Sequence, residues 1–372
     1  MEDERDLEYE RARRERIRRR RLAKQRQLRN RRIMRLVAMA AVLVLVIGLV
    51  GTGIHKLISG KSGAPKEGSV EVKAQNTEDP AAAKKQPVMS AADLTKMTSS
   101  GVTGWQQDES GWWYRDTDGS FYQNGWKEIE GSRYYFDENG YIITGWLELD
   151  GKDYFFDDSG RYDETKKRPM VALTFDDGPG EYTQELLDCL TANNAKATFF
   201  MLGPNVETYP EVAKALKDAG MEIGNHTWSH NPLTNMNSDG VANEVNSTND
   251  ALTKATGGPA TVMRPPGGAY NESVQAALGM PLIMWSIDTK DWATLSEDQT
   301  YQKTMDNVKD GSVVLMHDIH EWSVRAAIRA IPELVEQGYK LVTISEMAEA
   351  KGITLENGAA YYFFGEGTQA VE

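Results

Sequence analysis

The chain has 372 residues, 40% of them apolar and 26% charged, a length that suits two or three domains and a composition that suits a largely globular protein. Its formal net charge of −13 is segregated: residues 1–36 carry 15 Arg and Lys against 7 Asp and Glu, which leaves −21 on the remainder. So acidic a remainder excludes nucleic acid as a ligand, because phosphates need Lys and Arg to neutralise them, and a single cysteine, Cys189, excludes an internal disulfide framework. Residues 1–35 read as a basic, solvated cytoplasmic tail with helical character.

Residues 36–54 (LVAMAAVLVLVIGLVGTGI) hold no charge over 19 positions. As a helix they would reach about 28 Å, close to the roughly 30 Å hydrocarbon core of a bilayer. The stretch is apolar all round, unlike an amphipathic core helix. Arg29, Arg31, Arg32 and Arg35 crowd one side, whereas His55 and Lys56 follow the other. The positive-inside rule therefore predicts a single-pass anchor in the cell membrane, with the N-terminus cytoplasmic and the rest extracellular. A cleaved signal peptide would carry a shorter basic region and an A-x-A site, which the sequence lacks. Residues 55–103, rich in Gly, Ala, Lys, Ser and Pro, have linker composition.

Residues 104–163 contain an internal repeat. Trp105, Trp126 and Trp146 each follow a glycine, at spacings of 21 and 20. Each is followed by a second glycine and an aromatic cluster, for example Tyr134-Tyr135-Phe136, and then by Asp118-Gly119, Asn139-Gly140 or Ser159-Gly160. Aromatic strand, tight turn and short strand predict hairpins, which bury their rings only when stacked into a solenoid. The stretch resembles choline- or glucan-binding cell-wall repeats. That resemblance implies choline or glucan as ligand, and packing within the solenoid is the alternative use of the same rings.

From residue 168 to 355, short apolar strands alternate with helical patterns. Strands are expected at 171–175, 197–201, 221–224, 261–264, 282–287, 312–316 and 340–344, with helices such as 209–219 and 324–338 between them. Seven strands alternating with helices predict an α/β fold, a small or distorted (β/α)7 barrel, preceded by the hairpin solenoid and one transmembrane helix. Catalytic groups should then lie at the C-terminal strand ends. Residues 356–372 read as a C-terminal tail.

The polar motifs fall on that rim. The first strand ends in Asp176-Asp177-Gly178-Pro179, where adjacent carboxyls diverge, so that one can ligate a metal while the other stays free as a base. The third runs into His226-Thr227-Trp228-Ser229-His230, two imidazoles at helical spacing; with Asp177 they make a three-ligand set that leaves a metal position open. The fourth ends in Arg264-Pro265-Pro266-Gly267-Gly268. There Arg264 can orient a carboxylate and the Gly267 N–H can meet an oxyanion. The fifth leads to Asp291-Trp292, and the sixth ends in Leu315-Met316-His317-Asp318, with His317 a candidate general acid paired with Asp291. His320 reads as a loop residue. Cys189, spaced helically with Leu186, reads as a small buried apolar residue. No G-x-S-x-G elbow supports a serine hydrolase.

These motifs, in this order, resemble the polysaccharide deacetylase (NodB-homology, carbohydrate esterase family 4) family. The resemblance implies Asp176 as base and Asp177, His226 and His230 as ligands of a divalent metal, Zn2+ first and Co2+ next. It further implies Arg264 tethering the base, Asp291 tuning His317 as acid, Trp292 lining the groove and Leu315 meeting the acetyl methyl. The family often places Tyr three residues after that arginine, where this chain has Gly267. The implied reaction removes N-acetyl groups from cell-envelope polysaccharide, N-acetylglucosamine of peptidoglycan first. Chitin-like oligomers, exopolysaccharide, acetylated xylan or a non-catalytic wall-binding role are the alternatives.

Overall fold

The computed structural model describes residues 101–365 apart from 109, together with the backbone of Gln75–Asn76, which pairs in parallel with Tyr122–Gln123. The expected cytoplasmic tail, the apolar segment 36–54 expected as an anchor, and most of the expected linker lie outside the described residues. Among the described residues no helix is long and apolar enough to cross a membrane.

The repeats form three hairpins: Gly104–Gln107 with Trp112–Arg115, Gly125–Ile129 with Ser132–Phe136, and Gly145–Leu149 with Lys152–Phe156. The turns that join the second and third pairs are Glu130-Gly131 and Asp150-Gly151, with φ positive at both positions, the geometry that matches strand twist in two-residue loops. The sequence pattern pointed to the later Asx-Gly turns instead. Those follow the aromatic strand and yield only single bridges, Arg115 to Phe121, Phe136 to Ile142 and Phe156 to Tyr162. Neighbouring hairpins interlock through their rings, Trp105 against Tyr134 at 4.8 Å and Trp126 against Tyr154 at 5.1 Å between centroids.

The third tryptophan has no further hairpin to meet. Trp146 lies instead against Gly338, where a Cβ would sit 3.1 Å from its Nε1. Around it Arg168 pairs with Asp153 at 3.0 Å, and Lys340 pairs with Glu148 at 2.9 Å and Asp153 at 3.1 Å. The α/β domain thus caps the open end of the solenoid, as terminal units of repeat proteins must.

In that domain the strands are β1 (Met170–Asp176), β2 (Thr198–Met201), β3 (Glu222–Asn225), β4 (Leu282–Ile283), β5 (Ile287–Asp288), β6 (Ser312–His317), β7 (Lys340–Leu341) and β8 (Ala360–Tyr361). The helices are α1 (Thr183–Ala192), α2 (Gly203–Thr208), α3 (Pro210–Asp218), α4 (Ser238–Thr256), α5 (Glu272–Leu278), α6 (Asp291–Thr294), α7 (Glu297–Asn307), α8 (Glu321–Glu336) and α9 (Ile344–Ala350). The sheet runs β3-β2-β1-β6-β5, all parallel, with β7 pairing the start of β1. β1 is buried along nearly its whole length, as expected of a central parallel strand covered on both faces. This is a (β/α)7-type domain with irregular strands on one side.

Three expectations change there. The strand at 261–264 shrinks to one residue, Met263, bridging Asn225 and Leu282, because Pro265 and Pro266 have no N–H to continue the ladder. The strand at 282–287 splits into β4 and β5, because the carbonyls of Ile283 and Met284 accept from Arg264. Residues 356–372 are not simply a tail. β8 pairs with β4, Phe363 bridges Ser312, and Tyr361 and Phe364 are buried in the core.

Candidate active site

Parallel strands share one C-terminal rim, and β1 and β6 deliver its first two groups. Their register sets His317 directly beside Asp176, so the candidate acid and base occupy the same rung of adjacent strands. Past Asp176 the backbone turns sharply: Asp177 has φ +71°, which takes it out of the strand. Its Oδ1 lies 3.4 Å from Nε2 of both His226 and His230, while Asp176 Oδ2 is 3.8 Å from His226.

The residues 226–230 are not helical, contrary to the spacing argument. Thr227 and His230 have positive φ, and the N–H groups of Trp228 and Ser229 donate to Glu244 Oε2 at 2.9 and 2.8 Å rather than to helical carbonyls. Glu244, on α4, also accepts from Ser229 Oγ at 2.7 Å. It is a supporting residue that sequence reading missed; its position 14 residues on, inside a helix of ordinary polar pattern, gave no signal.

The three side chains fit a divalent cation. One ligand atom each from Asp177, His226 and His230 lies within 4.8 Å of the others. Asp177 Oδ1 is buried without a hydrogen-bond partner, an unsatisfied acceptor that calls for a ligand. His226 Nδ1 contacts the Arg264 carbonyl at 2.7 Å, so it carries the proton and leaves the Nε2 lone pair toward Asp177. Burial pushes His226 down to about 3, against the pull of Asp177, so the ring is neutral, as a metal ligand must be.

Arg264 is fully buried and almost every donor has a place. Nη1 donates to Asp176 Oδ1 at 2.7 Å and to Thr174 Oγ1 at 2.8 Å, Nε to Ile283 and Nη2 to Met284. Burial pushes the Asp176 carboxyl up, and the Arg264 charge opposes that rise without cancelling it. The result is a fixed carboxylate with raised proton affinity.

His317 is held twice by Asp291, through Nδ1 at 2.9 Å and through its backbone N–H at 2.8 Å. Burial alone would lower this imidazole, but the hydrogen bond and charge of Asp291, with Asp176 and Asp177 beyond, raise it to about 9. Trp322 donates from Nε1 to the Asp291 carbonyl at 3.0 Å, a second contribution the sequence did not announce. His320, expected as a loop residue, precedes α8 and stacks on Trp322 at 4.7 Å.

The remaining candidates flank this centre. Leu315 is buried two residues before His317 on β6, Trp292 is 55% exposed beside Asp291, and Gly267 is exposed with φ +60°. Asp318 accepts from Thr183 Oγ1 and sits where any Cβ at Gly178 would collide with it; burial raises its carboxyl to about 7. Cys189, half-buried against the core, lies far along α1 and takes no part.

Comparison with known proteins bears on the two kinds of domain. A polysaccharide deacetylase family model matches residues 163–283, a choline-binding repeat matches 123–162 and a cell wall binding repeat matches 103–121. The peptidoglycan-N-acetylglucosamine deacetylase PgdA of Listeria monocytogenes is 40% identical over 200 residues, 54% of this chain and 42% of that protein, so this chain spans less than half of that relative. A peptidoglycan-N-acetylglucosamine deacetylase of Bacillus cereus is 36% identical over 191 residues, 49% of this chain and 89% of its own length. Among solved structures, a T48 deacetylase with substrate superposes with a TM-score of 0.51 at 40% identity, over 52% of this chain and 96% of that one. Likeness that takes in nearly all of two such relatives makes this chain a member of the polysaccharide deacetylase family.

Proposed function

We propose that the chain is a divalent-metal-dependent hydrolase that removes N-acetyl groups from cell-envelope polysaccharide, with N-acetylglucosamine of peptidoglycan as first substrate. The observation that carries this reading is the juxtaposition of Asp176 and His317 on one rung beside the Asp177, His226 and His230 cradle. The names of the Listeria and Bacillus relatives support the substrate.

Asp176, aimed by Arg264, accepts the proton of the attacking water. When held by Asp177, His226 and His230, Zn2+ or a similar ion such as Co2+ supplies Lewis-acid polarisation of the acetyl carbonyl and of water. The Gly267 N–H donates to the developing oxyanion. His317, with Nδ1 committed to Asp291, gives its Nε2 proton to the departing amine. Acetate and a free amino sugar result, with the C–N bond broken and one water consumed. Leu315 offers an apolar contact for the acetyl methyl and Trp292 a wall for the glycan.

The location belongs to the same proposal: segment 36–54 anchors the chain in the cell membrane with the α/β domain outside, and the repeats hold wall polymer, choline or glucan. The uncharged run and its basic flank support the anchor. In the repeats, Arg133 already lies 4.4 Å over the Trp126 ring and 5.5 Å from Tyr162, so a cationic ligand there would compete with it.

The test is acetate release from peptidoglycan, chitooligosaccharide and acetylated xylan by the full chain, with metal and with chelator. Metal-dependent release from peptidoglycan is expected. Silence on every acetylated glycan with metal supplied would leave a wall-binding protein.

A further inference from the structure

Of the five histidines in the sequence, three serve the site described above and His55 lies outside the described residues, which leaves His320 without a role. It comes three residues after His317, the last residue of β6, and the centroids of the two imidazole rings are 6.1 Å apart. That distance, and not topology alone, puts His320 on the rim that carries the acid and, beside it on β1, Asp176.

The residue is held firmly, yet its polar edge is unspent. Its carbonyl accepts from the N–H groups of Ser323 at 3.1 Å and Val324 at 3.0 Å, which fixes the backbone at the start of α8. One ring face lies on Trp322, with centroids 4.7 Å apart and planes 14° apart. Trp322 is in turn tied through Nε1 to the carbonyl of Asp291, the residue that holds His317. The His320 side chain does not cap its own helix, and among the described residues neither ring nitrogen has a hydrogen-bond partner. The ring is half-buried, and burial together with the charge of His317 lowers its proton affinity, so it is neutral. A neutral imidazole offers one N–H and one acceptor nitrogen, the pair that a sugar hydroxyl complements. A polar group already fixed in place gives up little freedom when a ligand meets it.

We propose that His320 is a substrate-binding residue: its ring, braced by Trp322, hydrogen-bonds a hydroxyl of the glycan next to the nitrogen that His317 protonates. The identity of the ligand as an acetylated amino-sugar polymer rests on the function proposed above; the binding test does not need turnover.

The full chain carrying Asp176→Asn to suppress turnover, loaded with Zn2+, is titrated calorimetrically with the pentamer of β-1,4-linked N-acetylglucosamine. Added His320→Phe keeps a ring on Trp322 and loses both nitrogens, so it should weaken the pentamer about three- to tenfold, the worth of one hydrogen bond. His320→Ala should lose as much, and His320→Asn, which restores a donor and an acceptor, should recover part; either serves if the phenylalanine variant melts early. With Asp176 restored, the loss should appear in KM for the pentamer, while kcat and the alkaline limb of the pH–rate profile stay in place. Undiminished affinity in His320→Phe, or no pentamer binding by the parent protein, would overturn the contact. So would a fall in kcat or a moved alkaline limb with KM unchanged, which would mean that His320 acts on His317 through Trp322 and Asp291. Pentamer binding that depends on His320 without acetate release by wild type would sink the deacetylase reading and leave the contact standing.

Discussion

The chemistry rests on a few side chains whose surroundings set their protonation. Asp176 and Asp177 are neighbours in sequence, yet one is tied to a buried guanidinium and the other faces two imidazoles. Asp176→Asn should therefore lower kcat by about 10²–10⁴ while elemental analysis still finds bound metal; loss of the ion would show that this carboxyl is a ligand instead. His317 must be protonated to act as acid. Its proton is held up to about 9 because Asp291 outweighs the cost of burial, so activity is expected to fall as pH rises through that region. Asp291→Asn removes the raising partner and leaves burial, so the alkaline limb of the pH–rate profile should move to lower pH, toward the ordinary imidazole value near about 6.5. A profile with an unmoved alkaline limb would exclude His317 as the titrating acid. These residues were legible because residue type and strand-end position together restrict what they can do. Trp322 and Thr174 were not, since a backbone-carbonyl contact and a hydroxyl under a guanidinium leave no pattern in sequence.

Among elements, the loop 226–230 shows where local rules fail. Four-residue spacing suggested a helix, but a single carboxylate from α4 captures two successive backbone N–H groups and one hydroxyl, which stabilises an irregular turn instead. The two histidines still converge on Asp177, so their meeting does not depend on the helical premise. Glu244→Gln retains shape but weakens charge-assisted acceptance. It should weaken metal affinity by about 10–100-fold, as supporting residues of metal sites do, measured by competition with a chromogenic chelator; unchanged affinity would mean that the loop is held by other contacts. The central strand β1 was easy to read because a continuous apolar run has no other home. The irregular stretch 282–288 was not, because its interruption comes from Arg264, a residue some 20 positions away in the chain.

On the scale of the whole molecule, the chain segment after residue 355 closes the barrel. Phe364 is fully buried and Tyr361 nearly so, so Phe364→Ala should cost about 3–5 kcal/mol of unfolding free energy, read from denaturant titration. A loss under about 1 kcal/mol would show that this segment is dispensable packing. The joint between solenoid and α/β domain has the opposite energetic character. Arg168, Lys340, Asp153 and Glu148 are partly solvated, and such pairs contribute only about 0–1 kcal/mol each. Arg168→Ala with Lys340→Ala should leave the melting of the α/β domain unchanged but speed proteolytic cleavage between residues 163 and 168. Cleavage at the wild-type rate would mean that Trp146 against Gly338 suffices to hold the joint.

The sequence by itself determined that the repeats precede the α/β domain, the parallel-strand class and which side chains meet at the strand ends, because periodicity, glycine spacing and scarce histidines are local quantities. Only tertiary structure decided which turn closes each hairpin, where the strands break, that residues near the C-terminus complete the barrel, and that Glu244 holds the histidine loop. Those outcomes depend on competition for backbone hydrogen bonds between residues distant in the chain, and a linear reading carries no record of who wins it.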